Sequence, residues 1–277
     1  MSTTVADVLE TVERLWPVTG AESWDAPGLV SGDGAASVRH LHLAVDATLA
    51  VVEDAADVGA DFLLVHHPLL LRGVTTIAES TYPGSVLAAL VRSGIALLAA
   101  HTNADVVSTG TSAVLAARLG LLETVPLDGP AEAVGIGRVG RLPAAVTLGE
   151  FASRVSAALP ATAGGVRVAG EYDRHIETVA LCAGAGDSYL SSEAVRSADV
   201  YVTSDLRHHP ASGAREVPGA PALVDVSHWA SEWLWLSQAA AELRAELPGV
   251  EVTVSDVRTD PWDFIVVAPG ATRKAEL

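Results

Sequence analysis

Two adjacent histidines, His66 and His67, directly follow the apolar run Phe62-Leu63-Leu64-Val65 and precede Pro68. Imidazole is the commonest metal-binding side chain, and the carboxyl end of a strand in an α/β fold is where ligands gather. A His-His pair also fits a half-exposed strand end, so the reading depends on further ligands. The next apolar run, Ile95 to Ala100, leads into His101-Thr102-Asn103-Ala104-Asp105. If the two runs are neighbouring parallel strands, as consecutive strands tend to be, His66, His67, His101 and Asp105 converge at one sheet edge. Capping of the next helix by His101 and Asp105 is the competing explanation, and Asp105 can fill both roles. A third set, His228 and Glu232, stands four residues apart at the expected start of a helix, after the apolar segment Ala220 to Val226. Residues so spaced share a helix face and can chelate one cation, although an intrahelical hydrogen bond explains the pair about as well. Together these motifs offer up to four imidazoles and two carboxylates, more than a mononuclear site needs. Mixed nitrogen and oxygen donors suit two Zn, Fe, Mn or Ni ions, and the ligand types do not choose among them.

The elements that must position these residues follow from periodicity. Val5, Val8, Leu9, Val12, Leu15 and Trp16 mark a helix that stops at Pro17. The pattern then predicts strands near 38–45, 61–65 and 95–100, alternating with helices near 48–59, 83–93 and 111–119. Such alternation indicates parallel β-α-β units with both sheet faces covered. A Gly- and Pro-rich segment from about 120 to 145 reads as a domain boundary. Beyond it the pattern predicts a helix at 147–158, strands at 165–169, 176–183 and 199–203, a helix at 188–197 and a long helix at 228–246. The expected fold class is α/β, with two layered α/β domains. The first covers residues 1–125, the second 126–265 with its last segment returning His228 and Glu232 to the site, and 266–277 form a tail.

The chain has 277 residues, 49% of them hydrophobic, enough for a sizeable core. Its formal charge of -17 argues against a nucleic-acid backbone as partner, which needs a basic surface. A single cysteine, Cys182, excludes an intrachain disulfide and a multi-thiolate zinc site, so any metal must rely on His and carboxylate. No basic-then-apolar leader precedes the first helix, and no stretch approaches the roughly 18 apolar residues of a membrane span. The expectation is a cytoplasmic protein with no membrane partner.

Five stretches, in order, carry a resemblance. They are Trp24-Asp25-Ala26-Pro27-Gly28-Leu29, Val65-His66-His67-Pro68-Leu69, His101 to Asp105, Thr203-Ser204-Asp205-Leu206-Arg207-His208-His209, and Asp225-Val226-Ser227-His228-Trp229-Ala230-Ser231-Glu232. In them the sequence resembles the Nif-three-like dinuclear metal-centre proteins, the GTP cyclohydrolase 1 type 2 homologues, over residues 1 to about 255. The resemblance implies a toroidal homohexamer of two-domain subunits with the metal site between the domains. It implies two divalent ions per subunit, held by His66, His67, Asp105, His228 and Glu232, with His101 beside them. The implied activity is metal-dependent hydrolysis, water attacking the guanine ring of GTP, with His101 or His209 moving protons and a nucleotide or other small molecule as substrate. The alternatives are a dinuclear phosphoester hydrolase and a non-catalytic metal-binding or interaction protein. The chain departs from the family pattern at Ala26, where Asn is usual, and at Ser204 and Ser227, where Gly is usual. It also lacks the large insertion of longer members.

Other residues have competing explanations. Asp205, His208 and His209 could line a cavity, or Asp205 could cap a helix beside solvent-facing histidines. Arg72 and Arg207 are candidates for phosphate contact, against ordinary surface charge. The turn Gly184-Ala185-Gly186-Asp187 could cradle phosphate, although a lone Gly-rich turn is a weak signal. His40 and His42 precede a strand core rather than end it, which favours a structural role. Cys182 reads as a small buried hydrophobe, and Trp229, Trp233 and Trp235 as packing residues of the helix or a subunit contact.

Overall fold

The computed structural model describes residues 2–129 and 134–267. The proposed tail beyond 267, Lys274 and Pro130 lie outside them. Helix α1 (Val5–Leu15) is started by a capping box between Thr4 and Asp7 and turns Val5, Val8 and Val12 inward. Strand β1 (Gly28–Ser31) follows, then β2 (His40–Ala44), α2 (Leu49–Asp57), β3 (Phe62–Val65), α3 (Tyr82–Ser93) and β4 (Ala96–Ala99). Helix α3 ends at Gly94, whose φ of 68° only glycine adopts cheaply. Next come α4 (Thr102–Asp105), α5 (Thr111–Arg118), β5 (Leu122–Val125), β6 (Arg138–Thr147), α6 (Leu148–Ala158) and β7 (Arg167–Ala169). The chain continues through β8 (His175–Ala185), α7 (Glu193–Arg196), β9 (Val200–Ser204), α8 (His208–Arg215), β10 (Ala222–Val226), α9 (His228–Glu246) and β11 (Glu251–Val254).

These strands form two sheets, and the fold is mixed α/β. The first has the order β1-β4-β3-β2-β11. All neighbours in it are parallel except the edge pair β1 and β4. Alternate residues of β3 and β4 point to opposite faces: Phe62, Leu64 and Leu98 pack with α1 and α9, and Leu63, Val65 and Leu97 with α2 and α3. The second sheet has the order β5-β6-β8-β9-β10-β7, with β8, β9 and β10 parallel at its centre.

Strand membership departs from a cut at residue 125. β5 lies before it yet joins the second sheet, and β11 lies after it yet pairs with β2 of the first. The 120–145 stretch holds β5 and the start of β6; its glycines sit in turns and in a close antiparallel pairing, where a Cβ on Gly140 would lie 2.9 Å from the Leu122 carbonyl oxygen. The helix expected at 188–197 divides into a 3-10 turn and α7, because Ser192 takes an extended conformation and caps α7.

Helix α9 packs against β2 and β11 of the first sheet and β8 and β9 of the second. Trp229, Trp235, Leu236 and Leu243 are among its buried residues, so it is apolar on several sides, as a helix enclosed by two layers must be. Trp233 is partly buried and its indole N–H donates to the Ser255 carbonyl. No helix among the described residues is long and apolar enough to cross a membrane.

Candidate metal centre

The carboxyl ends of parallel strands from the two sheets meet. β3 delivers His66 and His67, β4 delivers His101, β2 delivers Asp46, β9 delivers Asp205, and β10 leads through Ser227 into α9. Ser227 caps α9 by accepting from the Ala230 N–H, which starts the helix at His228 and aims His228 and Glu232 across the junction.

Each imidazole is fixed through Nδ1. His66 Nδ1 lies 2.9 Å from the Ala100 carbonyl oxygen, which can only accept, so the nitrogen carries the hydrogen. His67 Nδ1 donates to Asp46 (2.7 Å), His101 Nδ1 to Asp25 (2.8 Å) and His228 Nδ1 to Asp205 (2.7 Å). This is how metal-binding histidines are oriented: the second nitrogen is held by a carbonyl or carboxylate and Nε2 is presented. The carboxylates are held in turn, Asp25 by the N–H and hydroxyl of Thr102, and Asp46 by Thr259.

The presented atoms crowd around Glu232. Its Oε1 lies 3.6 Å from His66 Nε2 and 3.1 Å from His228 Nε2, and its Oε2 lies 2.9 Å from His67 Nε2. Asp105 Oδ1 is 3.7 Å from His66 Nε2 and accepts from the Thr111 hydroxyl. Nε2 of His67 and Nε2 of His228 face each other at 3.2 Å. His66 Nε2 is buried with no hydrogen-bond partner, an arrangement that costs free energy unless a cation completes it. Among the described residues, two donor sets could hold a metal ion: His66, His67 and His101, and His67, His228 and Glu232.

Gly184 makes the space. At φ 72° a Cβ on it would stand 2.2 Å from Glu232 Oε1 and 3.2 Å from His228 Nε2. Its N–H donates to Ser231 Oγ at 2.9 Å and its carbonyl accepts from Thr203, so both backbone groups of Gly184, in the turn weighed as a possible phosphate cradle, are engaged within the protein beside Glu232.

Electrostatics follow the same plan. Burial would lower the His67 and His228 imidazoles, but the Glu232 charge and the bonds to Asp46 and Asp205 outweigh it and raise them to about 10 and about 11. Burial would raise Glu232, yet the His228, His67 and His66 charges hold it well below the usual carboxylate range. Burial dominates at Asp105, which is raised. Burial also opposes ionisation of Asp25, and the hydrogen bonds from His101 and Thr102 overcome it and keep the carboxylate charged. A divalent cation binding here would replace the protons on the imidazoles.

Two clefts flank the His67 and His228 pair. One of about 820 Å³ is lined by His67, His101, Asp105 and Glu232, with Trp24 and Tyr189 on its walls. The other, about 600 Å³, is lined by Asp46, Asp205, Arg167 and Trp262. His66, His67, His101, Asp105, His228 and Glu232 are thus brought together. His209 lies elsewhere: α8 carries it to the lining of a separate cleft with Asp187 and Arg196. His208 stacks edge-on with His209, and Arg207 pairs with Asp187 at 2.6 Å. His40 and His42 share the Thr253 hydroxyl, and His42 also meets Asp54, a structural use. Cys182 is buried, and burial pushes its thiol up. Sequence reasoning missed Asp46, which follows β2 as His67 follows β3, and weighed Gly184 for phosphate rather than for the room it leaves Glu232.

An α/β protein with a histidine–carboxylate cluster at the meeting of two sets of strand ends is the class that fold and site define. The chain belongs to the Duf34/NIF3 (NGG1p interacting factor 3) family, whose profile matches residues 3–261. A Streptomyces coelicolor protein named GTP cyclohydrolase 1 type 2 homolog is 42% identical over 266 residues, covering 93% of each chain. A Mycobacterium leprae protein of the same name is 36% identical, covering 95% of this chain and 96% of its own. That alignment runs to 373 residues against the 277 of this chain, as an insertion in the relative requires. Among solved structures, the Staphylococcus aureus hypothetical protein SA1388 superposes with a TM-score of 0.87 at 26% identity, covering 96% of this chain and 100% of that one. Reduced HcgD from Methanocaldococcus jannaschii does so with a TM-score of 0.78 at 27% identity, covering 93% and 99%.

Proposed function

We propose that this protein binds two divalent ions at the cluster and acts as a metal-dependent hydrolase in the cytoplasm. The observation that carries the reading is His66 Nε2, a fully buried imidazole nitrogen without a hydrogen-bond partner between two carboxylates. The donor set fits metal. His66, Asp105 and Glu232 would hold one ion, and His67, His228 and Glu232 the other, with Glu232 shared.

When bound, such ions supply a water acidified toward neutral pH and a Lewis-acid centre for a substrate oxygen. The protein's own part is orientation and proton management. Asp46 and Asp205 hold His67 and His228 in the tautomer that presents Nε2, and the Ala100 carbonyl does so for His66. His101 lines the cleft, and Asp25 holds its Nδ1, so Nε2 can accept a proton from the attacking water and return it to the leaving nitrogen.

The name shared by the relatives directs the first substrate to test: one water attacks C8 of the guanine ring of GTP and opens the imidazole to a formamide, and a second water hydrolyses the formamide to release formate. Purified protein of known metal content is incubated with GTP and with a phosphoester panel, and formate and phosphate are followed beside a His67→Ala control. Formate release that His67→Ala abolishes is the expected result. Phosphate release would redirect the activity to phosphoesters, and no turnover at full metal occupancy would reduce the role to metal binding. The hexamer implied by the family resemblance belongs to the same proposal and is checked by light scattering coupled to gel filtration.

A further inference from the structure

We propose that the larger cleft at this centre selects an uncharged, ring-bearing small molecule over a polyanionic one; the proposal rests on the hydrolase reading and names its substrate class. Among the described residues, the 820 Å³ cleft has no lysine or arginine in its lining. It has Asp105 and Glu232 at its floor, and Glu22 and Asp128 on its walls. Buried Arg138 is not in the lining; its guanidinium donates to the carbonyls of Gly135, Gly137 and Val107 at 2.6–2.7 Å, and its charge acts on Asp105 from behind the cleft.

The charge balance holds after metal loading. The four positive charges of two divalent ions are already matched by Asp105, Glu232, Asp46 and Asp205, which touch the ligands or would bind the ions. Asp25, Glu22 and Asp128 are then in surplus, on a chain whose formal charge is -17. Arg138 offsets one of these charges from behind Asp105, so a triphosphate would still meet a net negative wall with no lysine or arginine in the lining, and each like-charge pair weakens binding a few fold. Uncharged groups are abundant instead. Trp24 is 57% exposed and stands edge-on to His101 with ring centroids 5.8 Å apart, a face against which a flat ring can stack. The hydroxyls of Ser188, Ser191 and Tyr189 line the same cleft and offer neutral hydrogen bonds. Burial lifts the Tyr189 phenol to about 12, so it stays a donor.

The test uses one ring with rising charge. The metal-loaded full-length protein is titrated calorimetrically at low salt with guanosine, guanosine monophosphate and GTP. The expected order is guanosine tightest and GTP weakest, with a gap of about tenfold or more that narrows as salt is added. GTP binding as tightly as guanosine, or no binding by any of the three, overturns the proposal. Asp128 is exposed and is not one of the proposed ligands, so Asp128→Lys should strengthen GTP binding several fold and leave guanosine within about twofold. Unchanged GTP affinity in that variant counts against the proposal. Formate release, measured in parallel, separates the two claims. Guanosine binding without turnover sinks the hydrolase reading and leaves charge selection standing. A higher kcat/KM for GTP than for guanosine does the reverse.

Discussion

The two halves of the cluster are held by different means. His66 is buried completely, and its Nδ1 is fixed by a backbone carbonyl that is itself part of the β4 strand end. His67 and His228 are partly exposed and are fixed by the carboxylates of Asp46 and Asp205. A carbonyl sets orientation and tautomer and can be altered only by moving the strand. A carboxylate also makes the imidazole a stronger donor and can be removed by one substitution. The first half is therefore a product of the fold, and the second is tuned by side chains.

Glu232→Gln should have the largest effect, because among the described carboxylates Glu232 alone reaches His66, His67 and His228. Elemental analysis is expected to find both ions lost while circular dichroism still reports the α/β fold. Retention of either ion would mean that the halves do not share this carboxylate. Gly184→Ala comes next. The added methyl meets Glu232 Oε1 at 2.2 Å on a left-handed backbone, so metal content should fall in both halves without any ligand having been changed.

Asp46→Asn and Asp205→Asn separate the halves. Each should weaken the ion at His67 and His228 about 10- to 100-fold and leave the one at His66 near its original affinity, as competition with a chelator would measure. Equal weakening at both positions would abolish the distinction between fold-held and side-chain-held ligands.

The asymmetry also governs what the sequence made legible. His66, His67, His101, His228 and Glu232 could be read because scarce residue types recur where apolar runs end. Asp46 has the same position after β2, but an acidic residue after a strand is commonplace, and only its 2.7 Å contact with His67 distinguishes it. Asp205 is marked by a backbone φ of 57°, rare for a non-glycine residue and invisible in the sequence. His209 was drawn toward the site by its place in a motif, and α8 turns it away. The parallel strands β3 and β4 showed as continuous apolar runs, whereas β5, β6 and β11 did not. β5 is exposed along its length, glycine interrupts β6, and β11 is a short strand whose place beside β2 depends on a contact more than two hundred residues away.

The smallest expected effect lies outside the cluster and serves as its control. Asp54 accepts from Ser255 and meets His42 at 3.0 Å, between α2 and the segment after β11. Burial would raise this carboxyl, and the bonds from Ser255 and His42 outweigh it and lower it below its ordinary 3.8. A carboxylate depressed on folding stabilises the native state above the unfolded value and loses that contribution as pH falls through the folded one. Asp54→Asn should therefore lower Tm by about 2–4 °C at neutral pH. The difference should shrink below pH 3.8, with metal content unchanged throughout.

Anomalous diffraction from crystals of the metal-loaded protein, collected at the absorption edge of the bound element, tests the central claim most directly. Two peaks are predicted, one among His66, Asp105 and Glu232 and one among His67, His228 and Glu232. Full loading in solution with no peak at these residues, or with peaks only elsewhere on the chain, would contradict it.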